Sequence, residues 1–116
     1  MKGKSCDTFA PLGPFIALSE DIENVDNLRL WLTVNGKMMQ DGNTKNLIFN
    51  VPFLVSYLSS FMSLLPGDII STGTPKGVGL GQKPEPFYIK PGDVIELGID
   101  GLGSSRQVAR EWRKAQ

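Results

Sequence analysis

The most concentrated chemistry in this chain is a set of hydroxyls. Ser71, Thr72 and Thr74 lie in the stretch from Pro66 to Gly81, PGDIISTGTPKGVGLG, among glycines at 73, 77, 79 and 81. Glycine lets a backbone come close to a ligand or adopt positive φ. The hydroxyls and free N–H groups of such a loop then project into the space it surrounds. On that reading the loop is one wall of a small-molecule site, with Thr72 and Thr74 as its hydroxyl candidates. The competing reading is a connection that only turns the chain, the commonest use of Gly-rich segments. Two phosphate-binding patterns fail on spacing. Lys76 is followed by Gly77 and comes too early for a G-x-x-x-x-G-K-[ST] loop. Gly79-Leu80-Gly81 runs into Gln82-Lys83-Pro84-Glu85-Pro86, which cannot start a regular helix.

Histidine is absent. The chain therefore has no imidazole metal ligand, no Ser-His or Cys-His pair and no histidine base. Chemistry here rests on carboxylates, lysine, hydroxyls and backbone dipoles, or on groups from outside this chain. The carboxylates Asp7, Asp41, Asp68, Glu85, Asp93, Glu96 and Asp100 are scattered, with no E-x-E and no D-x-D. Asp68 and Asp93 fall in turns, where an Asp bonds nearby backbone. Lys4, beside Ser5, Cys6 and Asp7, reads on its own as a surface lysine.

The elements that must position these groups fit into one domain of 116 residues, with a feasible core of modest size. Hydrophobic residues make up 41% and charged residues 21%, and the formal net charge is zero. That balance argues against a nucleic acid or an anionic membrane held by bulk charge. No apolar run approaches the ~20 residues of a membrane span. The basic start Met1-Lys2-Gly3-Lys4 has no apolar stretch after it, so no secretory signal is expected. The single Cys6 makes no internal disulfide, and a reducing cytoplasm is the default expectation.

Lys4 to Phe15 is broken by Pro11, Gly13 and Pro14 and reads as irregular or edge structure. The acidic stretch Glu20 to Asp26 reads as a solvated loop. Leu28 to Val34 alternates, with Leu28, Leu30, Leu32 and Val34 on one face and Arg29, Trp31 and Thr33 on the other. Asn35-Gly36 follows and predicts a type I′ hairpin. Lys37 to Gln40 is the return strand and Asp41-Gly42 a second turn. From Phe49 to Leu65 the period becomes helical, with Val51, Leu54, Val55, Leu58, Phe61, Met62 and Leu65 on one core-facing side. Asn50 or Val51 starts this helix of about four turns, Pro52 sits in its first turn and Pro66-Gly67 ends it. Pro66-Gly67-Asp68 and Pro91-Gly92-Asp93 each precede a β-branched apolar run, which predicts one type II turn used twice. Phe87 to Ile89, Val94 to Ile99 and Arg106 to Trp112 read as strands, with Gly101 and Gly103 as breaks. Arg113 to Gln116 should fray. The sum is a mostly-β domain, sandwich or roll, with one or two helices.

Several segments together resemble the C-terminal part of the fumarylacetoacetate hydrolase family. They are Gly3-Lys4-Ser5-Cys6-Asp7-Thr8-Phe9 with Pro11 to Pro14; Val34-Asn35-Gly36 with Gln40 and Thr44; Leu47-Ile48-Phe49; Pro66 to Gly79; Pro91 to Glu96; and Ile99 to Gly103. The resemblance covers nearly the whole chain. It implies an incomplete mixed β-sandwich roll, residues 1–112 being the C-terminal part of a catalytic domain and 113–116 a frayed tail, and a homodimeric, cytoplasmic full-length family. It implies metal-dependent hydrolysis, isomerisation or lyase chemistry on small diketo or keto acids, with Mg²⁺ or Mn²⁺ on the substrate's keto-acid end. In hydrolytic members a Glu-His dyad activates the water that breaks a C–C bond.

By the same resemblance Lys4 is the site lysine and a catalytic residue. Thr74 contacts the substrate carboxylate, and Gly73 gives close backbone approach. The family's metal ligands, its His-Glu dyad and its Arg-Asp-x-x-Gln segment have no counterpart in this sequence. In the family they precede the position of Lys4. The expectation is therefore a family member without its N-terminal half, carrying the lysine and the Thr-Gly-Thr loop but no metal ligands. Ile70 to Pro75 and Gly79 to Pro84 look closest to sugar-acid members, the 2,4-diketo-3-deoxy-L-fuconate hydrolases and similar proteins labelled ureidoglycolate lyases. The alternative is a non-catalytic remnant or dimer-forming interaction module.

Overall fold

A computed structural model describes residues 5–112. Its centre is a four-stranded antiparallel sheet made of two hairpins laid side by side. Strand β1, Arg29–Val34, pairs with β2, Lys37–Asn43, and on its other edge with β3, Val94–Ile99. Strand β4, Gly103–Val108, closes the sheet beyond β3, giving the order β2-β1-β3-β4.

Alternation in β1 decides which side is apolar. The register sets Leu30, Leu32 and Val34 opposite Ile99, Leu97 and Ile95, so six aliphatic side chains share one face. Val34, 5% exposed, is the one buried hydrophobic residue among those described. On the other face Trp31 lies across from Gly98, and a Cβ at Gly98 would come within 2.9 Å of the indole. Arg29 binds Asp41 through two hydrogen bonds of 2.9 and 3.1 Å on that same face.

The Asn35-Gly36 turn forms as expected, with φ of 51° and 77°. Asn35 also fastens the two hairpins together. Its backbone N–H donates to the Val94 carbonyl (2.8 Å), its Oδ1 accepts from the Val94 N–H (2.9 Å), and its Nδ2 donates to Asp93 (2.8 Å).

Several expectations are corrected. Asp41-Gly42 is not a turn: both residues continue β2, opposite Trp31 and Leu30. A bulge lies in this hairpin, where Leu32 pairs with Gln40 and Thr33 with Met38, leaving Met39 as the extra residue. Gly101 and Gly103, read as breaks, take φ of 76° and 78° and shape the tight β3–β4 hairpin, so the last strand begins at Gly103 and ends before Trp112. Ile69-Ile70 and Phe87 to Ile89 form no strand: no ladder of backbone bonds forms along either, and Phe87 has only a single bond, from its N–H to the Gly79 carbonyl at 2.9 Å. Among the described residues the strands number four. The architecture is nonetheless mostly β with few helices, as expected.

Helix α1, Val51–Ser59, starts where predicted, with Asn50 Oδ1 capping the Phe53 N–H at 2.9 Å and proline in its first turn. It is shorter than the apolar period implied. The hydroxyls of Ser59 and Ser60 donate to the carbonyls of Ser56 and Tyr57, and the Ser60 and Phe61 N–H groups bond three residues back. Serine competition of this kind tightens and ends a helix. No residue of α1 is buried, so the described residues cover its expected core-facing side only in part, at Leu54 and Leu58. Phe49, Phe53, Tyr57 and Phe61 instead form an exposed aromatic ladder, with successive centroids 4.8, 6.1 and 5.3 Å apart. The accessible surface is 10007 Å², where a compact chain of this mass presents about 6,200 Å².

Candidate functional site

The Gly-rich loop lies along the β2 edge of the sheet and is fixed there by three interactions of different kinds. The first is a pair of hydrogen bonds. Gln40 Nε2 donates to Thr74 Oγ1 and to the Pro75 carbonyl, both at 2.8 Å. The second is a close approach. Gly77, at φ 108°, lies so near the bulge that a Cβ would fall 1.9 Å from the Met39 carbonyl oxygen. The third is a stack of Pro75 on Gly42, where a Cβ would meet the proline ring at 2.9 Å. On the far side Gln82 Nε2 donates to the Gly77 carbonyl at 2.9 Å. Gly79 comes so near Phe87 that an added Cβ would clash with the Phe87 carbonyl.

This arrangement explains local features the sequence left obscure. Gly42 stays in a strand because the loop proline needs the space a side chain would fill, one of the uses of glycine inside a strand. The bulge turns the Met39 carbonyl toward Gly77. Gln40, quoted for the resemblance but given no role, is the main polar tie between sheet and loop. The available signal was a glycine inside an alternating segment, two residues after a half-buried amide.

The sequence-predicted site residues fall as follows. Thr74 is exposed and takes a hydrogen bond only from Gln40 among the described residues. Gly73 has φ 98°, which itself requires glycine, and nothing in the described chain lies within 4 Å of a Cβ there. Thr72 and Lys76 are exposed neighbours in the same loop. Lys4 lies outside the described residues. The tail 113–116 lies outside them too.

No group of three His, Cys, Asp or Glu residues that could hold a metal occurs among the described residues. Four of their carboxylates already have partners. Asp41 is held by Arg29, whose hydrogen bond pulls its carboxyl below the usual carboxylate range. Asp93 is drawn down by hydrogen bonds from the Asn35 side chain and the Lys90 backbone. Asp68 accepts from the Leu65 N–H at 2.8 Å, and Glu96 faces Arg106 at 3.7 Å. These donors do not fit a divalent metal, and no chemical step is derived through one.

A model of the fumarylacetoacetate (FAA) hydrolase C-terminal family matches residues 1–109. The chain belongs to this family. Among its relatives is a 2,4-didehydro-3-deoxy-L-rhamnonate hydrolase from a Sphingomonas species, 52% identical over 97% of this chain and 39% of that protein. The fumarylacetoacetate hydrolase of Exiguobacterium antarcticum superposes with a TM-score of 0.90 at 38% identity, over 94% of this chain and 39% of that one. A maleylpyruvate hydrolase from a Sphingobium species, solved with manganese(II) and pyruvate, gives a TM-score of 0.81 at 36% identity, over 90% and 36%. The chain thus spans about two fifths of the length of the relatives it matches.

Proposed function

We propose that residues 1–112 are the C-terminal part of a fumarylacetoacetase-like catalytic domain and supply one wall of a site for a small keto acid. The observation that carries this is the loop itself. Thr74 presents an exposed hydroxyl on a segment that Gln40, Gly42 and Gly77 hold against the sheet. An anchored loop can hold a hydroxyl in one place, as a specific contact demands. In this reading Thr74 donates to the substrate carboxylate, Gly73 leaves room for it, and Lys4 acts as the site lysine beside the substrate's oxygens.

The reaction class we assign is hydrolysis of a C–C bond in a diketo acid. Water's hydroxyl adds to the acyl carbon, and its hydrogen ends on the carbon that leaves, so a carboxylic acid and a 2-keto acid result. Support comes from relatives: one is a hydrolase of a didehydro-deoxy sugar acid, and another was solved with pyruvate, a 2-keto acid. Manganese accompanies pyruvate in that relative. We expect Mn²⁺ or Mg²⁺ in the complete site, on ligands other than the described residues. A cytoplasmic homodimer is the expected setting.

The test is an NMR titration of the labelled chain with pyruvate. Shifts confined to residues 71–77, with the affinity weakened about five- to tenfold in Thr74→Ala, are the expected result. Shifts elsewhere, or none, would overturn the reading.

A second reading, a non-catalytic module that pairs with another copy, is favoured by the exposed aromatic ladder on α1. Apolar faces of this kind are where proteins associate. Sedimentation velocity tests the pairing: a monomer at high micromolar concentration would rule this reading out, and a dimer lost in Tyr57→Ser that gives no pyruvate shifts at residues 71–77 would support it over the first.

A further inference from the structure

We infer that Gln40 is a positioning residue that fixes Thr74 as a hydrogen-bond donor and so makes this wall selective for an acceptor. The inference rests on the reading of Thr74 as a ligand contact.

The Pro75 carbonyl can only accept. The group 2.8 Å from it must therefore be the amide nitrogen of Gln40, not its oxygen. That fixes which way the amide faces. The same nitrogen lies 2.8 Å from Thr74 Oγ1. An amide NH₂ has two hydrogens and no acceptor capacity, so Thr74 must accept the second one. The threonine's own hydrogen is then directed away from Gln40. Thr74 donates to no group among the described residues, and its side chain is exposed. The hydrogen is available to the space the loop faces.

A hydroxyl usually rotates to suit whatever approaches it. Here one side of it is already committed. The ligand atom that completes its bonding best is an acceptor, such as a carboxylate or keto oxygen. An ammonium or amide N–H would compete with Gln40 for the oxygen. The accepted bond also polarises the hydroxyl and strengthens its outward donation. Gln40 is half-buried, and its bond to the Pro75 carbonyl is partly shielded, while its bond to Thr74 stays open to the space the loop faces. Gly77 against the Met39 carbonyl keeps the spacing between loop and amide from relaxing.

Two measurements on the full labelled chain test this. In the first, without ligand, both Gln40 amide protons should exchange slowly. One should show a nuclear Overhauser effect to Thr74, and the Thr74 χ1 couplings should report one rotamer. Rapid exchange or an averaged rotamer would overturn the inference whatever the ligand does.

The second is pyruvate affinity in wild type, Gln40→Met, Thr74→Ala and the double variant. Each single variant should weaken binding about five- to tenfold, the scale of one hydrogen bond. The double variant should be no weaker than Thr74→Ala, because Gln40 acts only through Thr74. Additive losses, or full affinity in Gln40→Met, would reduce Gln40 to a structural tie. A locked amide with no pyruvate response in wild type would overturn the carboxylate reading of Thr74 and, with it, the selectivity inferred here. That outcome differs from a failure of the Gln40 geometry.

Discussion

The chain uses one turn twice and continues from it in two different ways. At Leu65 to Asp68 and at Lys90 to Asp93, a Pro-Gly pair carries the bend, with glycine φ of 96° and 94°. In both, the Asp N–H donates to the carbonyl three residues back at 3.0 Å, and the Asp carboxylate accepts from that residue's N–H at 2.8 Å. After Asp93 the chain enters β3 and pairs on both sides. After Asp68 it enters no sheet, and Ile69 is 70% exposed. The turn is thus a local product of four residues. The strand after it is not. Ile69-Ile70 has strand-forming residues but no neighbour presenting a row of N–H and C=O groups. What fixes that second region is close contact and two side-chain hydrogen bonds farther along, at Gly77 and Gln40.

The widest separation of the two regions should come from Gly77→Ala. An added methyl would meet the Met39 carbonyl at 1.9 Å on a backbone at φ 108°. We expect a cost of about 2–4 kcal/mol, read as fast hydrogen exchange across residues 71–82 with β3–β4 protection retained. Next come Gly92→Ala and Gly67→Ala, which carry equal strain of about 1–2 kcal/mol and no clash. Gly92→Ala should lower the urea midpoint of the sheet. Gly67→Ala should leave it in place and loosen only its own turn. Equal midpoint shifts would erase the distinction drawn here.

Asp93→Ala and Asp68→Ala refine it. Asp93 loses two partners, Asn35 and Lys90, where Asp68 loses only Leu65. Asp93→Ala should therefore lower the urea midpoint of the sheet, while Asp68→Ala should leave it in place and loosen only its own turn. The same contacts give a pH dependence. The Asp93 carboxyl is held below the usual range in the folded chain, chiefly by the Asn35 side chain. Its contribution is therefore complete above the ordinary carboxylate pKa of about 3.9 and is lost as the pH falls through the lowered folded value. Asp41, lowered by Arg29, follows the same sign. Acid unfolding below about pH 4 should be shallower in Asp93→Asn. The smallest effect on stability belongs to Thr74→Ala, where thermal unfolding should stay within about 0.5 kcal/mol of wild type while pyruvate binding weakens about five- to tenfold.

How much was legible in the sequence follows from the same contrast. Asn35-Gly36, both Pro-Gly-Asp turns and the Asn50 cap were readable because each is decided by a few adjacent residues. The alternation of β1 was readable because its apolar face needs only the period of the strand. Asp41-Gly42 misled because turn propensity is local, while β1 on one side and Pro75 on the other hold that segment in the sheet. The end of α1 misled because the apolar period continues to Leu65, but serine hydroxyls take up the carbonyls first. Of the site, Thr74 and Gly73 were readable as residues of a suspicious loop. Gln40 was not, because its role depends on a partner 34 residues away in sequence.

The contact between Trp31 and Gly98 has an optical consequence. The chain's two tryptophans stand in different surroundings: Trp31 is half-buried over a backbone that only glycine can offer, while Trp112 is 80% exposed. Their fluorescence should separate into a blue-shifted component, shielded from aqueous quenchers, and a red one open to iodide. The shielded signal reports whether β1 and β3 are side by side. The molecule thus carries its own indicator of hairpin pairing, with a built-in reference on the same chain.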